Sequence, residues 1–172
     1  WLDSVLRRQH TRDSRLAWQI LVATVPVGIT GLLFADFIEA NFRNPLFVAG
    51  TLTVFGILMY VADRFGRGTK DEFGLTWPQA IAIGCAQALA LMPGTSRSGV
   101  TMTTGRALGL TRSAAARFSF LLAVPGIGAA GAYEGLKLVT SPEPVQWPPM
   151  LVGVAFAALS GIARIHFLIR FI

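Results

Sequence analysis

The segment Pro93-Gly94-Thr95-Ser96-Arg97-Ser98-Gly99 puts one guanidinium and three hydroxyls on a turn between two apolar stretches, Trp77 to Met92 and Val100 to Leu110. Those residue types suit an anion. Arg97 offers a planar fork of N–H donors. Thr95, Ser96 and Ser98 offer hydroxyls, and Gly94 and Gly99 let backbone N–H groups approach a ligand closely. A helix is expected from Ser98 to Leu108, and its positive N-terminal end would face the same spot. Thr101 lies one turn after Arg97 and is a further candidate. Gln87, six residues before Pro93, either lines the cavity or bonds a neighbouring helix. Thr103 and Thr104 are expected to bond back to their own helix.

The elements that must hold this turn are membrane helices. The 172 residues are 53% hydrophobic and only 14% charged, with a mean hydropathy of +0.56. Soluble domains carry about 25% charged residues. Leu16 to Ala35 and Pro144 to Ala163 each run 20 residues without a charge, Pro45 to Ala62 runs 18, and Phe118 to Tyr133 runs 16. A helix crossing the hydrocarbon needs about 20 apolar residues. The fold class is therefore an all-α polytopic membrane protein, and residues 1–172 read as a single membrane domain.

The expected order begins with a basic loop, Trp1 to Ser14. A span from Leu16 to Ala35 follows, then a short outer loop, Asp36 to Asn44. Pro45 opens a second span that ends at Ala62, followed by a charged, glycine-punctuated loop, Asp63 to Thr76. The unit 77–110 reads differently. It has two apolar halves, each too short to span, around a polar Pro-Gly break. That pattern predicts a re-entrant helix–loop–helix hairpin. Ser113 to Val139 is a third span, Thr140 to Pro149 an outer loop, and Met150 to Ile172 a fourth span.

The net charge of +6 does not point to nucleic acid, because its distribution follows the positive-inside rule. With a re-entrant hairpin, twelve of the fifteen Lys and Arg residues fall on one side. Arg43 and Lys137 fall on the other, and Arg97 lies within the membrane. A single crossing by 77–110 would put Arg106, Arg112, Arg117, Arg164 and Arg170 on the wrong side.

Other chemistry-bearing residues offer less. The single Cys85 reads as a small core residue. His10 sits in the basic loop and His166 on the flank of a span. Glu134 and Lys137, three residues apart, read as an ion pair. Gly126-Ile127-Gly128 reads as helix packing. No grouping of His, Cys or paired carboxylates reads as a metal site, and no nucleotide-binding loop is present. Ser96 is a candidate nucleophile by type, although no neighbouring carboxylate or imidazole would activate it.

Gly84-Cys85, Gln87, Leu89-Ala90-Leu91, Pro93-Gly94, Ser96-Arg97-Ser98-Gly99 and Phe118-Ser119-Phe120-Leu121-Leu122-Ala123-Val124-Pro125 together resemble the second signature of the undecaprenyl-diphosphatase family, the bacitracin-resistance membrane phosphatases of bacteria. Pro26, the Gly31-Leu32-Leu33-Phe34 run and Asn44-Pro45 follow the same order, so the resemblance covers the whole chain. It implies hydrolysis of undecaprenyl diphosphate to undecaprenyl phosphate in the bacterial inner membrane, which recycles the lipid carrier for cell-wall synthesis. It also implies two inverted repeats with re-entrant hairpins, of which this chain carries one, and a site open to the periplasm. By matching positions, Ser96, Arg97, Ser98 and Thr101 carry over as diphosphate-binding, with Arg97 central; Gly94, Thr95 and Gly99 join the expected binding set from the make-up of the turn itself, and Arg97 and Ser96 are the expected catalytic residues.

The resemblance further implies a divalent cation, magnesium or calcium. The acidic helix and the Pro-x-Ser-Ser-x-Gly-His loop of the family's first repeat have no counterpart here. The chain is accordingly expected to be part of a longer protein, and residues 1–172 alone are not expected to hydrolyse the substrate. Expected partners are the lipid diphosphate, membrane lipids and, as an open question, a second copy in a homodimer. An inverted-repeat transporter or flippase for a phosphate-bearing substrate would use the same loop and stays open as the alternative.

Overall fold

The computed structural model describes residues 12–66, 68–140 and 147–171, with the side chains of 39, 165 and 168–171 excepted. Six α-helices make up the described chain: α1 (Arg12–Asn41), α2 (Pro45–Phe65), α3 (Trp77–Ala88), α4 (Arg97–Ala107), α5 (Arg112–Thr140) and α6 (Trp147–Phe171). Short 3-10 turns cover Glu72–Gly74 and Leu89–Leu91. Segments of α1, α2, α5 and α6 are long and apolar enough to cross a membrane. The protein is thus an all-helical, multi-pass membrane protein by length and composition. The chain divides into two compact units, Trp1–Ala130 and Gly131–Ile172.

Several helix ends differ from the sequence expectation. Helix α1 begins by Arg12, inside the expected loop, and continues through Asp36 to Asn41. No Gly or Pro interrupts residues 32–41, so the helix runs on past Ala35 to Asn41. The Asn44 side chain accepts from Leu46 N at 2.9 Å and Pro45 occupies the first turn, so α2 starts where expected. Helix α2 takes in Asp63 to Phe65, which had been assigned to the loop. Helix α6 takes in Trp147-Pro148-Pro149 as its first turn. Proline is tolerated there because the first N–H groups of a helix have no intrahelical partner. The expected loop residues 1–11, with His10 among them, Arg67 and 141–146 lie outside the described residues.

The core of the first unit joins three helices. Leu16, Ile20 and Ala23 of α1 pack with Ala80 and Ile83 of α3 and with Phe118 and Leu122 of α5. Gly84 permits the closest approach, since a Cβ there would stand 2.7 Å from Ala23 Cα. Small residues let membrane helices approach in this way. Leu75, fully buried ahead of α3, receives hydrogen bonds on its carbonyl from Arg15 Nη2 (3.2 Å) and Gln19 Nε2 (2.9 Å). Cys85, on the other side of α3, is exposed rather than in the core. Helix α2 buries no residue at all. Its apolar surface is what a lipid-facing span presents and what a soluble helix avoids.

Helices α3 and α4 form a hairpin. At about 1.5 Å per residue they are roughly 18 and 16 Å long, short of the ~30 Å hydrocarbon thickness. Thr76 and Gln79 form a reciprocal capping box at the start of α3. The two ends of the hairpin are tied together. Thr69 N and Lys70 N both donate to Gly109 O at 3.1 Å, Thr111 N donates to Lys70 O at 2.9 Å, and Gln79 Nε2 reaches Leu108 O at 3.4 Å. The chain therefore enters and leaves this unit at one level.

Charged groups collect at that level. Arg112 Nε and Nη2 hold the two Asp63 carboxylate oxygens at 2.6 and 2.9 Å. Arg106 Nε stands 3.5 Å from Asp63 Oδ1. The Arg106 Nη1 donates to Leu110 O at 2.7 Å, and Nη2 donates to Gly66 O. Glu72, buried, meets Arg117 Nη1 at 3.2 Å. In the second unit, Glu134 and Lys137 are both exposed and form no ion pair. The expected pairing fails there because a solvated or interfacial pair gains too little to fix two long side chains.

Two outcomes test this arrangement. Gly84→Val should lower stability by about 1–3 kcal/mol through overpacking against Ala23, read as a lower unfolding midpoint in detergent. In a background lacking Cys85, single cysteines replacing Lys70 and Ser113 should react with an impermeant thiol reagent from the same side of the membrane. Reaction from opposite sides would refute the hairpin.

Candidate anion-binding site

The tip of the hairpin is shaped before any ligand is considered. Thr95 N donates to Met92 O at 3.1 Å, closing a turn in which Gly94 takes φ +88°. A side chain at Gly94 would be strained by that φ and would also meet Val48 O at 2.6 Å. The Thr51 hydroxyl of α2 donates to Pro93 O at 2.8 Å. The tip is thereby fixed to α2 twelve residues from Asp63, which is about 18 Å along a helix.

Ser96 ends the turn and caps α4. Its Oγ accepts from Gly99 N at 3.2 Å and lies 3.3 Å from Ser98 Oγ. Arg97 is the first residue of α4, so its guanidinium starts from the positive end of the helix. Both serines and the backbone N–H groups of this first turn suit an anion. Helix N-termini bind anions because those N–H groups are unpaired and aligned.

Four polar atoms around the tip are buried and make no hydrogen bond. They are Thr95 Oγ1, Arg97 Nη1, and both Nε2 and Oε1 of Gln87, whose side chain is only 1% exposed. An unsatisfied buried polar group costs about 1–3 kcal/mol. Such groups collect where a ligand supplies the missing partners. The helix–helix hydrogen bond, one of the two roles expected of Gln87, is not made. Gln87 and Arg97, ten residues apart in sequence, both face Gly126 of α5.

Thr101 is placed differently. It is buried, and its hydroxyl lies 2.7 Å from Ser119 Oγ, 3.0 Å from Arg97 O and 3.2 Å from Ser98 O. It braces α4 against α5 behind the loop. Thr104 bonds back to Val100 O at 2.9 Å, as expected. Ser119 and Thr51 were not singled out from the sequence. The available signal was a hydroxyl within an apolar run in each case, which does not say what it meets.

Gly126 and Gly128 do not serve close helix packing, contrary to expectation. A Cβ at Gly128 would meet nothing within 4 Å, and one at Gly126 only Arg97 Nη1 and Gln87 Nε2. His166 is exposed on α6. Among the described residues, no group of three or more His, Cys, Asp or Glu could hold a metal. A guanidinium with hydroxyls is a donor set for an anion, not for the divalent cation that the resemblance implies.

A multi-pass helical membrane protein with an anion-shaped loop at the tip of a hairpin is the class these features define. The chain matches the family model of the bacitracin resistance protein BacA over residues 1–172, and it belongs to that family. It is 49% identical to undecaprenyl-diphosphatase 2 of Stutzerimonas stutzeri over 99% of the chain. It is also 42% identical to undecaprenyl-diphosphatase of Aliivibrio salmonicida and 44% identical to that of Nitrosococcus oceani, each over 100% of the chain. These alignments cover 64%, 64% and 65% of the relatives, so the chain spans just under two thirds of their length.

The Thr101–Ser119 contact gives a test of the bracing role. Thr101→Val leaves the Ser119 hydroxyl unpaired and should cost about 1–3 kcal/mol of stability. Adding Ser119→Ala should recover part of that loss, giving a coupling of about 0.5–3 kcal/mol in a double-mutant cycle of unfolding midpoints.

Proposed function

We propose that the full-length protein hydrolyses undecaprenyl diphosphate to undecaprenyl phosphate and inorganic phosphate in the bacterial inner membrane. The observation that carries the reading is the Arg97 loop. A cation with an unpartnered buried nitrogen stands at the capped N-terminus of α4, in a chain whose relatives are named undecaprenyl-diphosphatases.

The chemistry follows from charge. A diphosphate is highly anionic, and transfer of its terminal phosphoryl group spreads charge over non-bridging oxygens. Arg97 pairs with those oxygens through its fork of donors. Ser96 and Ser98 hydroxyls and the first-turn N–H groups of α4 orient the same group, and the helix end stabilises the developing charge. Gly94 and Gly99 keep the backbone open to the ligand. Ser96 binds and orients. Its Oγ caps α4, and among the described residues no imidazole or carboxylate hydrogen-bonds to it. The groups that activate the nucleophile are assigned to the part of the full-length protein outside this chain.

Sidedness comes from the arginines. The Asp63, Arg106, Arg112 and Arg117 level is basic and belongs at the cytoplasmic face by the positive-inside rule. The tip, about 18 Å away along α2, then lies in the outer part of the hydrocarbon and opens toward the periplasm. The hairpin is re-entrant in this reading, and the prenyl chain lies in lipid while the diphosphate reaches the tip.

Arg97→Ala in the full-length protein should cut phosphate release from undecaprenyl diphosphate by about tenfold to more than hundredfold, with membrane insertion intact. Arg97→Lys should also be impaired, because a point charge lacks the fork. Near-wild-type turnover by Arg97→Ala would overturn the site. Movement of labelled lipid across the bilayer without phosphate release would favour a transporter instead.

A further inference from the structure

Gln87 presents an anomaly that the loop alone does not explain. Its side chain is 1% exposed, yet neither end of its amide has a hydrogen-bond partner. An apolar residue of the same shape would cost less at this position. The amide faces a second orphan, Arg97 Nη1, across a point on α5 that carries no side chain. A Cβ on Gly126 would lie 3.8 Å from Arg97 Nη1 and 3.8 Å from Gln87 Nε2, with no other atom within 4 Å. The two polar groups come from opposite arms of the hairpin, α3 and α4. The gap comes from a third helix.

We infer that Gly126 and Gln87 complete the anion seat: Gly126 keeps open the space into which Arg97 and Gln87 direct their donors, and one non-bridging oxygen of a diphosphate occupies it. The inference rests on the diphosphatase reading for the identity of the ligand, and on the geometry alone for the position of the seat. The ligand class follows from the donors. A guanidinium N–H and an amide N–H converging on one gap fit acceptor oxygens carrying negative charge.

This arrangement separates binding from folding. Gln87→Leu removes an unsatisfied amide and keeps the volume, so stability should hold or rise while binding falls. Gly126→Ala adds a methyl at ordinary contact distance and a better helix former. Gly126→Leu fills the gap. The probe is inorganic pyrophosphate, titrated calorimetrically into the full-length protein in detergent, alongside unfolding midpoints and steady-state hydrolysis of the lipid diphosphate.

Gln87→Leu and Gly126→Leu should each weaken pyrophosphate binding about ten- to hundredfold, the loss expected of a hydrogen bond to a charged group. The loss should appear mainly in KM, with unfolding midpoints unchanged or raised. Gly126→Ala should fall between these and the wild type. Affinities within twofold of wild type in both variants would overturn the inference, as would loss of folded protein in both, since that would make the two residues structural. Absence of lipid hydrolysis by the wild type, with the pyrophosphate losses intact, would sink the diphosphatase reading and leave the seat standing.

Discussion

A guanidinium among apolar helices is the constraint around which the rest of this structure is arranged. Arg97 must be held at depth, where placing a charge costs several kcal/mol. Its Nη1 is also left without a partner, as the proposed role in binding an anion requires. If every donor were paired within the protein, the loop would be stable and unable to bind. Part of the offset comes from α4, whose first turn is capped by Ser96 and whose N–H groups form a donor-rich environment selective for anions. The rest is left open, and the four unpartnered atoms at Gln87, Thr95 and Arg97 measure how much.

That openness needs a rigid frame, and the frame is at the other end of the hairpin. Backbone bonds between the segments at Lys70 and Gly109 close the unit, and Asp63 clasps Arg112 while Arg106 ties α4 to the end of α2. Thr51 and Gly94 then key the tip to α2. Two attachments to one helix, about 18 Å apart, fix both the depth and the direction of the loop. Because α2 buries no side chain, it can face lipid along its length and still act as the ruler for the site.

Most of the first-level architecture was legible in the sequence because the signals are local. A Pro-Gly break between apolar halves predicted the hairpin. Asn44-Pro45 predicted the start of α2, and charge-free runs predicted the spans. Helix ends were less legible. Asp36 to Asn41 looked like a loop by polarity, but polarity does not break a helix that meets no Gly or Pro. Trp147-Pro148-Pro149 looked like a loop by its prolines, although prolines are harmless in a first turn. Cys85 looked like core by composition, but α3 turns Ala80, Ile83 and Gly84 toward α1, and Gly84 lies so close to Ala23 that a Cβ there would collide with it.

The site itself was half legible for the same reason. Residues 93–99 are contiguous, so their shared chemistry could be read directly. What α5 contributes could not be read, because Gly126 and Ser119 acquire meaning only from the residues of α3 and α4 that face them. A serine in an apolar run and a glycine in a span are individually unremarkable. Once packed, Ser119 pairs with the Thr101 hydroxyl, while Gly126 puts no side chain beside Arg97 and Gln87. The same helix thus satisfies one polar group and leaves its neighbours unsatisfied, seven residues apart. In the proposed site, that difference separates the hydroxyl that braces α4 from the donors that would meet an anion.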